Sequence, residues 1–149
     1  LYNFPDGMIS VNLEENFGND VNGSQGQHPG TDSPGAASLV SMGEANGFDG
    51  SSPFAPESYD AAALIMLAMQ SAGSSSSADY ASKVMEVANA PGVQIFPGEL
   101  AKGLKILADG GDIDYVGGSA VELIGPGESA GAYRQIEIKD GKITTMQYR

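Results

Sequence analysis

Few residues in this chain are of a type and spacing that could do chemistry. Gly127-Glu128-Ser129-Ala130-Gly131 fits G-x-S-x-G, the pattern that presents a nucleophilic serine on a strand-to-helix turn. That chemistry needs an acid and a histidine further along the chain. The one histidine, His28, lies far upstream, and the sequence after Ser129 reads as a strand rather than a helix. A serine without a base is a weak nucleophile, so the motif reads as a turn. A small serine hydrolase using Ser129 stands as an alternative only. Asp109, Asp112 and Asp114 offer oxygen ligands of the kind calcium takes. Setting Asp112 and Asp114 at the first and third places of a calcium loop puts Gly117 at the required glycine, but Val116 and Leu123 then stand where ligands belong. A solvated acidic loop is the better reading. His28, between Gln27 and Pro29 with no cysteine or carboxylate cluster beside it, makes a poor metal ligand and reads as a surface or hinge residue. Asn22-Gly23-Ser24 is a glycosylation sequon by pattern alone. Glycine-rich phosphate loops are absent. No metal, cofactor or catalytic constellation is expected.

Charge narrows the choice of partner. The net charge is −12, and no Lys or Arg occurs before Lys83, although ten Asp and Glu do. Such a chain repels phosphate backbones and anionic membrane surfaces, so nucleic acid is excluded as a partner. No apolar run approaches the roughly 20 residues of a spanning helix. The absence of cysteine rules out disulfides, thiolate metal sites and a cysteine nucleophile, and fits cytosol and periplasm equally.

The elements that would position these residues are partly legible. Asn22 to His28 reads as a short extended or crossing segment. Pro34 to Asn46 reads as a helix with Pro34 at its first position and Asn46-Gly47 at its end, and Ala36, Leu39, Val40 and Gly43 fall on one face. Glu57 to Ser71 is the strongest helix. Its run from Ala61 to Met69 is apolar nearly all round, which predicts burial on more than one face. A further helix is expected from Asp79, with Tyr80, Val84, Val87 and Ala88 as its stripe, and another after Pro97-Gly98-Glu99, carried by Leu100, Leu104 and Leu107. Tyr133 to Lys139 alternates, Asp140-Gly141 suits a two-residue turn in which both positions need φ > 0, and Lys142 to Tyr148 returns as its partner strand. Together these readings describe an α/β or α+β chain.

Beyond Pro53 the sequence also carries a resemblance. Pro53-Phe54-Ala55-Pro56-Glu57-Ser58-Tyr59-Asp60-Ala61-Ala62-Ala63-Leu64, the helix end Val87-Ala88-Asn89-Ala90-Pro91-Gly92, the helix start Pro97-Gly98-Glu99-Leu100, the stretch Asp114-Tyr115-Val116-Gly117-Gly118-Ser119-Ala120-Val121-Glu122 and the closing Tyr133 to Ile143 hairpin occur in one order. That series resembles the branched-chain amino acid (Leu/Ile/Val) type of periplasmic substrate-binding protein of ABC importers. No single match is specific, and the resemblance rests on their collinearity to Arg149. Gly26-Gln27-His28-Pro29-Gly30-Thr31 looks like a lobe-crossing strand of that family, more weakly. The family's aspartate-rich turn is replaced here by Gly125-Pro126-Gly127-Glu128.

The resemblance implies an α/β chain forming part of a two-lobed type I periplasmic-binding-protein fold, helices plus a C-terminal β-hairpin, that closes on a small ligand without catalysis. Family chains are considerably longer, so it also implies that this is the C-terminal portion of a longer chain, lacking the serine and threonine residues that grip the ligand. The expected division is residues 1–23 as the end of one lobe, 24–30 as a hinge crossing through Gln25, Gly26 and Gln27, 31–132 as the helical part of the other lobe, and 133–149 as the hairpin. Phe54 matches the family's aromatic wall of the ligand pocket, and Glu57 and Ser58 stand beside it at a helix start. Implied partners are an amino-acid ligand, an importer permease and the remainder of the parent chain, in the periplasm. A ligand-sensing module of the same fold is the other non-enzymatic alternative.

Overall fold

Helix α2, Pro34–Asn46, has the bounds that its punctuation predicts. Ser33 stands before it, and its hydroxyl accepts from the Ala36 N–H at 3.2 Å, satisfying one orphan donor of the first turn. Gly47 ends it in the left-handed region at φ 80°. Its buried face is Gly35, Leu39 and Gly43. Helix α3, Ala55–Ala72, buries Asp60, Ala63, Leu64, Leu67 and Ala68, a single stripe at helical spacing. The expectation that α3 is buried on several faces is corrected: Ile65 and Met66 are 41% and 43% exposed. The all-round apolar run marks composition, and only the stripe beside Asp60 meets a core.

These helices belong to the computed structural model, which describes residues 1–149 as two compact units. The second unit is Ser33–Ser51 with Ala55–Ala130. The helix expected from Asp79 is two short ones, α4 (Ser77–Tyr80) and α5 (Lys83–Ala88). Asp79 turns back to accept from the Ser74 hydroxyl at 2.6 Å. Helix α6, Leu100–Ala108, follows Pro97-Gly98-Glu99 as read. Two three-residue strands, β3 (Val93–Ile95) and β4 (Ile113–Tyr115), pair in parallel. Leu67, Val87, Ile95, Ile113 and Tyr115 form the heart of this unit's core. The strands β5 (Leu123–Gly125) and β6 (Glu128–Ser129) make a small hairpin.

The first unit is Leu1–Asp32 with Ser52–Phe54 and Gly131–Arg149. It holds a four-stranded sheet in the order β1-β2-β7-β8, where β1 is Asn3–Phe4, β2 Gln25–Pro29, β7 Tyr133–Lys139 and β8 Lys142–Tyr148. Asp140 and Gly141 turn the β7–β8 hairpin at φ 51° and 72°, the two positive values the Asp-Gly pair predicts. Ile136 and Ile138 point into a core with Phe4, Ile9, Val21 and Leu13, the last from α1 (Val11–Phe17). Early and late chain are stitched by backbone bonds from Gly23 N–H to Ile138 C=O and from Ile138 N–H to Ser24 C=O, at 2.8 and 2.9 Å. Glu14 adds to this by accepting from Lys142 Nζ and the Ile143 N–H, both at 2.8 Å.

The segment expected as a hinge is placed within this sheet. Gln25, Gly26 and Gln27 pair with Glu137, Ile136 and Gln135 of β7. The chain changes units after Asp32. Residues 1–23, 24–30 and 133–149 thus fall together, while the span 31–132 lies mostly in the second unit. Reading His28 as a surface residue is corrected too. It sits in β2 with 3% of its surface exposed, because the strand's alternation turns Gly26 and His28 inward. His28 Nδ1 lies 2.6 Å from the Pro29 carbonyl oxygen.

Burial holds His28 below the usual histidine pKa, opposed in part by the Pro29 carbonyl. The folded state therefore binds fewer protons here than the unfolded chain. The associated stability is present above about pH 6.5 and is lost as pH falls below it. Urea denaturation at pH 7.5 and pH 5.5 is expected to show a larger acid loss for the wild type than for His28→Gln. Equal losses would remove His28 from the acid response.

Candidate functional site

The start of α3 is where this chain concentrates polar chemistry. Asp60, one turn into the helix, is 2% exposed. Its Oδ1 accepts from the Tyr115 hydroxyl and the Gly118 N–H, each at 2.8 Å. Its Oδ2 accepts from the Ser119 N–H at 2.7 Å and the Ser119 hydroxyl at 2.6 Å. A buried carboxylate is tolerated only with such a set of partners. Four donors from one stretch of chain satisfy this one completely. Burial, with the Asp60 charge next in weight, raises Tyr115 far above an ordinary tyrosine, so it serves as a fixed hydroxyl donor.

The turn that supplies these donors is shaped for the purpose. Gly117 has φ +62°, and a Cβ there would meet Asp60 Oδ1 at 2.4 Å. On the turn's other side Gly35 of α2 lies so close that a Cβ would overlap the Gly117 carbonyl oxygen. Three sequence-distant pieces, the first turn of α2, the Asp60 turn of α3 and Gly117–Ser119, therefore meet with no room for a side chain at Gly35 or Gly117.

Glu57 and Ser58 precede Asp60 on the same helix. Ser58 is exposed and Glu57 half-buried. The Glu57 Oε2 is shut off from solvent and has no hydrogen-bond partner. Burial raises the Glu57 pKa above the usual carboxylate range, its own backbone N–H opposes this, and the Asp60 charge adds to the rise. Phe54, immediately before α3, is 42% exposed. Its φ of +68° is a left-handed conformation that a bulky side chain rarely adopts.

Other candidates are placed in structural duties. Ser129 is exposed in β6, and its hydroxyl donates to the Ala130 carbonyl at 3.1 Å. The chain after it enters β7 rather than a helix, so the nucleophile-elbow geometry is not built. Ser129 stands at the rim of an apolar groove of about 720 Å³ within the second unit, lined by Leu64, Ile65, Tyr80, Val84 and Met85 among others. Asp109 pairs with Lys105 at 2.7 Å, and Asp112 accepts from the Ile113 N–H at 3.0 Å. No group of three or more His, Cys, Asp or Glu gathers as a metal site. Asn22, the sequon asparagine, uses its side chain internally, accepting from the Gly141 N–H at 2.9 Å and donating to Asn19 at 3.1 Å. Asp60 is the residue that sequence reasoning passed over. The available signal was the pairing of Tyr59-Asp60 with the Asp114–Ser119 stretch, and nothing in either segment alone says that they meet.

Set against known proteins, no family model and no curated protein matches this chain. Among solved structures, it is similar to a leucine-binding protein, LivK, from Thermotoga maritima, with a TM-score of 0.68 and 16% identity. The match covers 99% of this chain and 37% of that one. The chain therefore has the α/β architecture of part of a type I periplasmic-binding-protein fold, and it spans little more than a third of that protein's length. No helix is long and apolar enough to cross a membrane.

The Asp60 arrangement makes a stability prediction. Asp60→Ala is expected to cost about 3–5 kcal/mol in urea denaturation, because it strands several buried donors at once. Tyr115→Phe, which removes one donor, is expected to cost about 1–1.5 kcal/mol. Additive losses in the double variant would mean that the two groups are not coupled as drawn.

Proposed function

We propose that this chain is a solute-binding, non-catalytic part of a periplasmic binding protein serving an ABC importer, with an apolar amino acid as its ligand. The single observation that carries the reading is Phe54. An aromatic ring left partly exposed, on a backbone held in the left-handed region, costs of order 1–3 kcal/mol, and such strain clusters at ligand clamps. The fold likeness to a leucine-binding protein agrees with this assignment.

Phe54 supplies an apolar wall for the ligand side chain. Ser58, exposed one turn into α3, offers the ligand a hydroxyl. The permease of the importer is the proposed macromolecular partner, and the periplasm the proposed compartment. Affinity comes from burial of apolar surface and fixed polar groups, with no bond made or broken.

Isothermal titration of the protein as its gene encodes it, with L-leucine, L-isoleucine and L-valine, tests the reading. Binding of at least one is expected, with Phe54→Ala weakening it by about tenfold or more. No heat with any of the three would overturn amino-acid binding. Unchanged affinity in Phe54→Ala would take Phe54 out of the ligand's surroundings.

A further inference from the structure

Three exposed apolar side chains converge on one hollow of the first unit. A pocket of about 350 Å³ is lined by Tyr2, Phe4, Met8, Phe17, Asp20 and Val21. Phe4 and Val21 belong to the unit's core. Tyr2, Met8 and Phe17 are 64%, 52% and 52% exposed, and the Tyr2 and Phe4 rings stack with their centroids 5.9 Å apart. Apolar residues scattered singly over a surface need no explanation, but three gathered round a hollow mark an interaction site. The volume suits one or two large apolar side chains of a partner, the kind of anchor that carries binding energy. None of these residues takes part in the solute site proposed above.

Charge says what flanks the anchor. Asp20 is the one charged residue lining the pocket, and Asp6 stands on the turn Asp6–Met8 that supplies Met8. Both are exposed, and neither has a basic partner. Leu1–Asp32 contains no Lys or Arg. The unit's four bases, Arg134, Lys139, Lys142 and Arg149, belong to the β7–β8 hairpin and the residue after it. Of these, Lys139 and Lys142 are already paired with Glu137 and Glu14. An anionic lipid surface would be repelled here. A second copy seated face to face would set one acidic hollow against another. We propose that this pocket docks a protein segment that carries an aromatic or aliphatic anchor between Lys or Arg residues. The anchor enters among Tyr2, Met8 and Phe17, and the flanking cations meet Asp20 and Asp6, which sets specificity at the rim.

The chain has no Trp, so a tryptophan-anchored peptide reports its own burial by a blue shift of its emission. Three hexapeptide probes share a Trp-Leu centre and carry a pair of Lys, Gln or Glu at each end. With the protein as its gene encodes it, the Lys peptide is expected to shift to the blue and to bind about three- to tenfold tighter than the Gln peptide at low salt. That advantage is expected to shrink at high salt, and the Glu peptide is expected not to bind. Asp20→Asn is expected to remove most of the advantage. Phe17→Ser and Met8→Ser, both at exposed positions, are expected to abolish the shift while leaving the thermal midpoint close to that of the wild type. Lys-peptide binding that survives all three substitutions places the contact elsewhere on this acidic chain and overturns the proposal. The absence of a blue shift with every probe overturns it as well. Self-association in sedimentation that Phe17→Ser abolishes makes the face an interface between copies, which also overturns it.

Discussion

Asp60 is the fixed point of the second unit. Its carboxylate lies inside the protein, and its solvation is replaced by Tyr115, Gly118 and Ser119, more than fifty residues further along the chain. Leaving it unpaired would cost several kcal/mol, so α3 and the end of β4 are obliged to meet in one geometry. The glycines follow from this. Gly117 is where the backbone passes closest to the carboxylate, and Gly35 is where α2 packs against the far side of the same turn. The apolar core of Leu67, Ile95 and Ile113 supplies the bulk of the driving force, which is non-directional. The polar cluster supplies the register.

What could be read from the sequence was what is encoded locally. The bounds of α2 are written in Pro34 and Asn46-Gly47, and the β7–β8 hairpin in strict alternation around Asp140-Gly141. Strands β3 and β4 were not legible, because three residues carry no periodicity and their pairing joins segments separated by a helix. The role of Asp60 was hidden for a related reason. An acid near a helix start reads as a solvated first-turn residue, and only the fold brings it to its donors. Phe54, Glu57 and Ser58 were placed at a helix start, and they are at one. That Glu57 is half-buried between an exposed Phe54 and an exposed Ser58, with one oxygen sealed, was beyond any sequence pattern.

The first unit shows how a flexible-looking sequence can form a strand paired on both edges. Gln25-Gly26-Gln27 followed by Pro29-Gly30 has the composition of a crossing segment. In the structure its glycine is present for contact: a Cβ at Gly26 would meet the Phe4 carbonyl oxygen at 2.7 Å. Strand β2 is hydrogen-bonded on both edges, to β1 in parallel and to β7 in antiparallel fashion. The same alternation that buries Gly26 buries His28, so a residue whose neighbours signal a turn ends up with its imidazole in the interior. Composition reports what a backbone is able to do, and pairing decides what it does.

The acidity of the chain takes on a sharper meaning when apportioned. The second unit carries twelve carboxylates and three lysines, and the lysines are spent on Glu86, Glu99 and Asp109. Exposed carboxylates need no partner, because water serves. The two that leave water, Asp60 and Glu57, are solved differently: one by hydroxyl and backbone donors at both oxygens, the other with one oxygen, Oε2, left without a partner. Asp60 is satisfied at both oxygens, while one turn earlier on the same helix Glu57 keeps one oxygen sealed and unpartnered. The satisfied group fixes the helix against its neighbours.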